Sequence, residues 1–229
     1  MDFQAGEVLL IDKPKGWSSF DVVRKVRSLI KSKKVGHAGT LDPLATGLLV
    51  LCTGRLTKTI DKIQAQEKEY LVEFRLGATT PSYDAEFPPE NPQDCSHLTI
   101  EMVDQAIERF KGAISQSPPQ FSAVKVGGKR AYESARSGNI VDIKPRTITV
   151  FSYDLLEFRA PDWARARIRC SKGTYIRSLV HDLGQVLGVG AYILELRRMR
   201  IGEYRVEDAL SIEGLRETMA ATQNIESGK

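Results

Sequence analysis

Gly36-His37-Ala38-Gly39-Thr40-Leu41-Asp42-Pro43-Leu44-Ala45-Thr46-Gly47 runs directly into Leu48-Leu49-Val50-Leu51-Cys52. The second segment is a continuous apolar run of strand length, which predicts a buried strand. The first lacks periodicity and is broken by glycines, so residues 35–47 read as a loop. Glycines let backbone approach a ligand closely, and Pro43 fixes the chain just after Asp42. A carboxylate there sits on a rigid loop before a buried strand, a sensible place for catalysis. Asp42 equally suits a turn in which it bonds its own backbone.

Upstream, residues 7–12 read as a strand and Lys13-Pro14-Lys15-Gly16 as a turn. Ser18 or Ser19 caps a helix whose Val22, Val23, Val26, Leu29 and Ile30 recur at helical spacing. Its other face carries Arg24, Lys25, Arg27 and Lys31, and no acidic residue stands between Val22 and Thr40. Downstream, residues 55–64 predict a helix. Tyr70, Val72, Phe74 and Leu76 alternate with Leu71, Glu73 and Arg75, which predicts a strand. Residues 79–96 read as a loop, and Thr99 caps a further helix.

Residues 115–146 read as an excursion from the core, with a Gly127-Gly128 turn and with Lys125, Lys129, Arg130, Lys144 and Arg146. Strands follow at 147–158 and 163–170; in the second, Ala164, Ala166, Ile168 and Cys170 face one way and Arg165, Arg167 and Arg169 the other. Residues 174–187 predict a helix, and 191–206 one or two more strands. The mixture, without strict strand–helix–strand repetition, indicates α+β with a mixed or antiparallel sheet.

The 229 residues include 33 basic and 29 acidic side chains, a net charge of +4, and 41% apolar residues, so an ordinary globular chain with a proper core is expected. No run approaches the ~18 apolar residues of a membrane span, and the N-terminus has no signal-peptide pattern. Cys52, Cys95 and Cys170 are scattered, which suits a reducing cytoplasm. The three histidines form no metal-ligand spacing with them. No phosphate loop, dinucleotide fingerprint or serine-hydrolase elbow is present.

Three basic clusters point toward nucleic acid: the 24–34 helix, the 125–146 excursion and the arginine face of 163–170. Each alone reads equally well as a solvated face. His37 suits contact with a base or phosphate, or a structural role. Arg177 projects from the first turn of its helix; meeting Asp42, it would keep that carboxylate ionised and oriented, and otherwise it is a surface arginine. Tyr70, by its alternation with Val72 and Phe74, also fits a core-facing strand position.

Several segments together resemble the TruB family of tRNA pseudouridine-55 synthases: LLIDKPKGWSSFDVV, VGHAGTLDPLATGLL, KEYLVEFRLG, PPQFSAVKVGGKRAYE and CSKGTYIRSLVHDLG, with LRR at 196–198. They stand in the family's order, and GTLDPLATG is the most specific. The resemblance implies the pseudouridine synthase fold: a mixed, largely antiparallel sheet flanked by helices, with an RNA-binding cleft. It implies isomerisation of uridine-55 in the tRNA T-loop, with the base flipped out. It places the essential carboxylate at Asp42, the tyrosine that stacks on the uracil and is implicated in C5 deprotonation at Tyr70, and the carboxylate's arginine partner at Arg177. His37, Tyr175 and Leu196 match positions that contact the nucleotide or line its pocket. Lys13 and Pro14 match a motif that shapes the cleft, and Asp84 an acidic residue that contacts RNA. Lys125, Lys129 and Arg130 lie in the segment matching the family's mobile insert, expected to close over the T-arm backbone.

The expectation is therefore a single catalytic domain over 1–229, with a basic insert at about 115–146 and no C-terminal PUA-type domain. It acts in the cytoplasm on tRNA, without cofactor, metal, membrane or obligate protein partner, as a monomer. Thr79-Thr80-Pro81-Ser82-Tyr83-Asp84 departs from the family's usual pattern, which bears on Asp84. The alternatives are a non-catalytic tRNA-folding chaperone with the same basic surface, and a synthase guided by RNA and protein partners.

Overall fold

The computed structural model describes residues 2–227. In chain order it opens with β1 (Val8–Lys13), α1 (Ser19–Leu29), β2 (Val35–His37) and β3 (Thr46–Thr53). A 3-10 helix (Gly54–Thr59) runs into α2 (Ile60–Gln64), followed by β4 (Lys68–Leu76), α3 (Ile100–Glu108) and β5 (Gly112–Gln116). The short strands β6 (Lys125–Val126) and β7 (Lys129–Arg130) precede α4 (Ala131–Arg136) and the long strands β8 (Arg146–Arg159) and β9 (Trp163–Cys170). Then come α5 (Ile176–Val186), β10 (Ala191–Ile201), β11 (Tyr204–Arg205), a 3-10 turn (Val206–Asp208) and α6 (Ile212–Ser227). The chain divides into two compact units: one runs up to Tyr70 and resumes at Arg197, and the other is Leu71–Leu196.

In the first unit β3 is the central strand. β1 pairs with it antiparallel from Val8↔Cys52 to Lys13↔Gly47. β10 pairs parallel at Arg197↔Thr46 and Arg198↔Gly47, and β2 antiparallel from Val35↔Thr53 to His37↔Leu51. Leu48 to Cys52 are wholly buried because both faces of the strand are covered. Leu49 and Leu51 pack with Val22, Val23, Val26 and Ile30 of α1 and Leu215 of α6. Leu48, Val50 and Cys52 pack with Ala38, Ile63, Ile201 and Val206. Each such leucine contributes about 1.5–3 kcal/mol by its burial.

Ser18 caps α1: its hydroxyl accepts the Asp21 N–H at 3.1 Å, and the Asp21 carboxylate accepts the Ser18 N–H at 3.0 Å. Ser19, the other candidate cap, turns inward instead. In this unit two elements differ from the sequence reading. The start of the 35–47 segment is strand β2, three residues being too few to show a period. Residues 212–227 form α6, where Ile212, Leu215 and Met219 at helical spacing pack on the core of α1.

In the second unit β8 pairs antiparallel with β9 and with β5. β5 was not apparent in the sequence: it holds one large apolar residue, Ile114, and takes its shape from pairing with 146–150. Ala164, Ala166, Ile168 and Cys170 are buried, as their alternation requires. The arginine face of β9 is opposed by acid across the ladder, Arg167 facing Asp154 and Arg165 facing Glu157. Such cross-strand charge pairs partly neutralise that cluster. The excursion holds the β6–β7 hairpin around Gly127-Gly128, then α4. Among these strand pairs only β3 with β10 runs parallel, so the chain is α+β with a mixed, largely antiparallel sheet arrangement.

Candidate active site

The Asp42 loop is fastened from several directions. The Asp42 carbonyl accepts the Ala45 N–H at 3.1 Å, closing a turn with Pro43 in its second position. The Pro43 carbonyl accepts two donors, the Gly16 N–H at 2.8 Å and the Lys13 ammonium at 3.1 Å. Lys13 is wholly buried and also donates to the Pro14 carbonyl at 2.9 Å and the Trp17 carbonyl at 2.5 Å. From α1, the Ser19 hydroxyl donates to the Leu41 carbonyl at 3.1 Å and accepts the Leu41 N–H at 2.9 Å. Asp42 itself is half-buried.

A second buried cation lies against the same loop. Arg198, 1% exposed, donates from Nε to the Leu48 carbonyl at 2.8 Å, from Nη2 to Gly39 at 3.0 Å and from Nη1 to Thr40 at 3.3 Å. Burial pushes its guanidinium below the usual arginine range, while the Tyr70 side chain, through charge and a hydrogen bond, and the Asp42 carboxylate oppose that shift. Burial brings Lys13 down to about 8, with the positive charge of Arg198 adding to the effect and Asp42 opposing it. His37 is lowered by burial first and by Arg198 second, against a hydrogen bond with the Gly39 backbone. Lys13, His37, Asp42 and Tyr70, singled out in the sequence, lie within electrostatic reach of Arg198.

Gly47 makes this approach possible. Gly47 has φ +96°, and a Cβ there would lie 2.3 Å from the Arg198 carbonyl oxygen and 2.8 Å from its backbone nitrogen. Gly39, at φ +100°, faces Arg198 Nη1 at 3.6 Å from the same imaginary atom. Tyr70 is 8% exposed and shares the buried face of β4 with Val72, Phe74 and Leu76. Its core-facing position and its link to Arg198 therefore coexist.

The second unit holds the other candidates. Arg177 is buried on the first turn of α5; its Nη1 donates to the Ser82 carbonyl and its Nη2 to the Phe121 carbonyl, both at 2.8 Å. Its Nε lies 3.7 Å from an Asp84 carboxylate oxygen. Asp84 is buried too, accepting the Ser82 hydroxyl at 2.5 Å and the Glu86 N–H at 3.1 Å. Tyr175 is held at its backbone by the buried Gln116, which accepts its N–H at 2.8 Å and donates to its carbonyl at 3.0 Å. The guanidinium of Arg146 sits 4.9 Å over the Tyr175 ring. Leu196 is buried, and Lys125, Lys129 and Arg130 are exposed on the β6–β7 hairpin.

Residues missed in the sequence are Arg198, Gln116, and the Tyr83–His181 pair, whose rings stack at 3.7 Å. Arg198 had a signal: it shares strand parity with the buried Leu196, so a charge was being placed on an inward face. Among the described residues, no group of three or more His, Cys, Asp or Glu is arranged to hold a metal ion, and no helix is long and apolar enough to cross a membrane.

The backbone is similar to that of a chain in a crystal structure of a Cbf5-Nop10-Gar1 complex, with a TM-score of 0.70 and 29% identity, covering 94% of this chain and 54% of the other. It is similar also to a chain of an H/ACA RNP bound to a substrate RNA containing 2'-deoxyuridine, with a TM-score of 0.73 and 27% identity, covering 99% and 56%. The chain thus spans just over half the length of these solved relatives. Its fold is that of the pseudouridine synthases. Residues 27–176 match the N-terminal domain of the TruB family of pseudouridylate synthases, and residues 177–228 match the C-terminal domain of tRNA pseudouridylate synthase B. A protein of Bacteroides thetaiotaomicron named tRNA pseudouridine synthase B is 50% identical over 226 residues, covering 95% of this chain and 94% of the relative. Its namesake in Phocaeicola vulgatus is 49% identical over 223 residues, with the same coverage. The chain belongs to the TruB family, and it is an isomerase of the pseudouridine synthase class.

Proposed function

We propose that this chain converts uridine-55 in the T-loop of tRNA to pseudouridine. The observation that carries the proposal is the tethering of the Asp42 loop by two buried cations, Arg198 and Lys13, in a chain about half identical over nearly its whole length to proteins named for this reaction.

In the reaction the N1–C1′ bond of the nucleotide breaks, the uracil turns, and C5 bonds to C1′. The C5 proton leaves and N1 gains one, so atoms and electrons balance with no oxidant, reductant or water. The Asp42 carboxylate supports glycosidic cleavage from its tethered loop, and Arg177 is the arginine that the family resemblance assigns to the same reaction. Tyr70 stacks on the uracil and assists loss of the C5 proton. Asp84, expected from the resemblance to contact RNA, is buried with its carboxylate on internal donors, so here it acts through Arg177, whose Nε it faces at 3.7 Å. A T-loop uridine is reached only by flipping it out, at a cost of a few kcal/mol. His37, Tyr175 and Leu196 offset that cost by occupying or lining the space around the base.

The exposed Lys125, Lys129 and Arg130 meet backbone phosphates of the T-arm as the insert closes. On this reading the whole chain, 1–229, is a single catalytic domain that acts as a monomer. It works in the cytoplasm, where its substrate and its free, buried cysteines belong.

The test is to treat an unmodified tRNA transcript with the protein and map pseudouridine by mass spectrometry of the T-loop fragment. Modification at position 55 supports the proposal. Modification elsewhere removes the position, and tight binding without modification favours the chaperone reading.

A further inference from the structure

We propose that Arg198 is the positioning residue of the active site: one buried guanidinium that fixes the two ends of the Asp42 loop relative to one another. The inference rests on the proposed role of Asp42.

Three of its donors end on carbonyls that bracket Asp42 in the chain, those of Gly39 and Thr40 before it and of Leu48 after it. A guanidinium is planar and its N–H groups diverge at fixed angles. Three partners on one such plane cannot shift independently, so the two ends of the loop are registered against a common template. The glycines of the motif serve the same seat. Gly47 admits the Arg198 backbone where any side chain would collide, and Gly39 presents its carbonyl to Nη2 from a left-handed conformation. Gly47, read from the sequence as room for a ligand, is also room for the backbone of this arginine.

A role in the fold alone does not account for the choice of residue. Burying a cation is costly, and apolar packing commonly stabilises such a position as well or better. What an apolar side chain cannot supply is a positive charge beside Asp42 with a rigid set of donors to the loop that carries it. Lys13 holds the same loop from another point, at Pro43, but as a flexible ammonium it sets no angle.

The test is Arg198→Lys, which keeps the charge and loses the fork. With the tRNA transcript as substrate, kcat falls about 100-fold or more, as misplacement of catalytic groups by about an ångström commonly does. KM and tRNA affinity stay within about threefold, and thermal unfolding remains cooperative. Arg198→Gln, which keeps donors and loses the charge, is the second variant, with the same expected split between kcat and KM. A kcat within threefold of wild type for Arg198→Lys overturns the proposal, as does a loss of tRNA affinity matching the loss of kcat. If neither variant folds, Arg198 is a residue of the fold and the proposal falls. Asp42→Asn is assayed alongside. If it remains active, the reading of the site is wrong; if it is inactive while Arg198→Lys is active, only the role of Arg198 is.

Discussion

Lys13 at the end of β1 donates its ammonium to the carbonyl of Pro43 at 3.1 Å, thirty residues along the chain and one beyond Asp42. The ammonium satisfies three carbonyls from a wholly buried position, and burial lowers its pKa from 10.5 to about 8. The neutral amine has one N–H fewer, so deprotonation releases one of these contacts. We expect kcat to decline above pH of about 8, and Lys13→Met to be impaired at neutral pH without that alkaline limb. Stability runs the other way. The unfolded chain binds the proton more tightly between about 8 and 10.5, so the wild type gains stability relative to Lys13→Met as pH rises through that window. Rate profiles and thermal melts from pH 6 to 10 check both; a rate level to pH 10 contradicts the assignment.

Gly47→Ala collides with backbone on the neighbouring strand, not with a movable side chain. The Arg198 carbonyl oxygen would lie 2.3 Å from the new carbon, and φ is +96°. The parallel pairing of β3 with β10 must give way, at a cost of about 3 kcal/mol or more. Chemical denaturation measures it, and a loss below about 1 kcal/mol would show that the strands separate easily.

Lys125, Lys129 and Arg130 are exposed on a small hairpin, where substitution leaves the core untouched. Replacing all three by glutamine should weaken tRNA binding and reduce the slope of log affinity against log salt by about 2–3. Binding titrations between 50 and 200 mM salt test this at roughly the concentrations over which counterion release is felt. An unchanged slope removes the hairpin from the RNA surface.

Tyr153 of β8 is wholly buried, and its hydroxyl has no hydrogen-bond partner among the described residues. Burial accordingly holds its pKa above the usual tyrosine range. Tyr153→Phe removes the unpaired group and keeps the ring, so stability should rise by about 1 kcal/mol. A lower melting temperature would mean that the hydroxyl contributes to the fold.

The strand, helix and loop order was legible where periodicity was long. The apolar run 48–52, the alternation from Tyr70 to Leu76 and the two-faced strand 163–170 all appear as read, because burial on one face or both leaves a direct mark on residue type. β2 and β5 were not legible, since three to five residues with one or two large apolar groups owe their conformation to the neighbour they pair with. Of the site, the Asp42 loop stood out through its glycines and proline. Arg198 did not, because a buried arginine beside the half-exposed Arg197 looks like a second surface charge; only its parity with Leu196 marks it as inward. The internal pairing of Asp84 with Arg177 was equally hidden, since the two residues are far apart in sequence and meet only in the folded unit.

The most direct measurement of the central claim uses a tRNA transcript tritiated at uracil C5, followed with wild type and with Asp42→Asn. The account predicts that wild type releases tritium as C5 bonds to C1′. Asp42→Asn should release it at least about 1,000-fold more slowly, in the range expected when a catalytic carboxylate is removed, while binding tRNA with affinity within about threefold of wild type. Equal release by both proteins, or a parallel loss of binding and release, would contradict it.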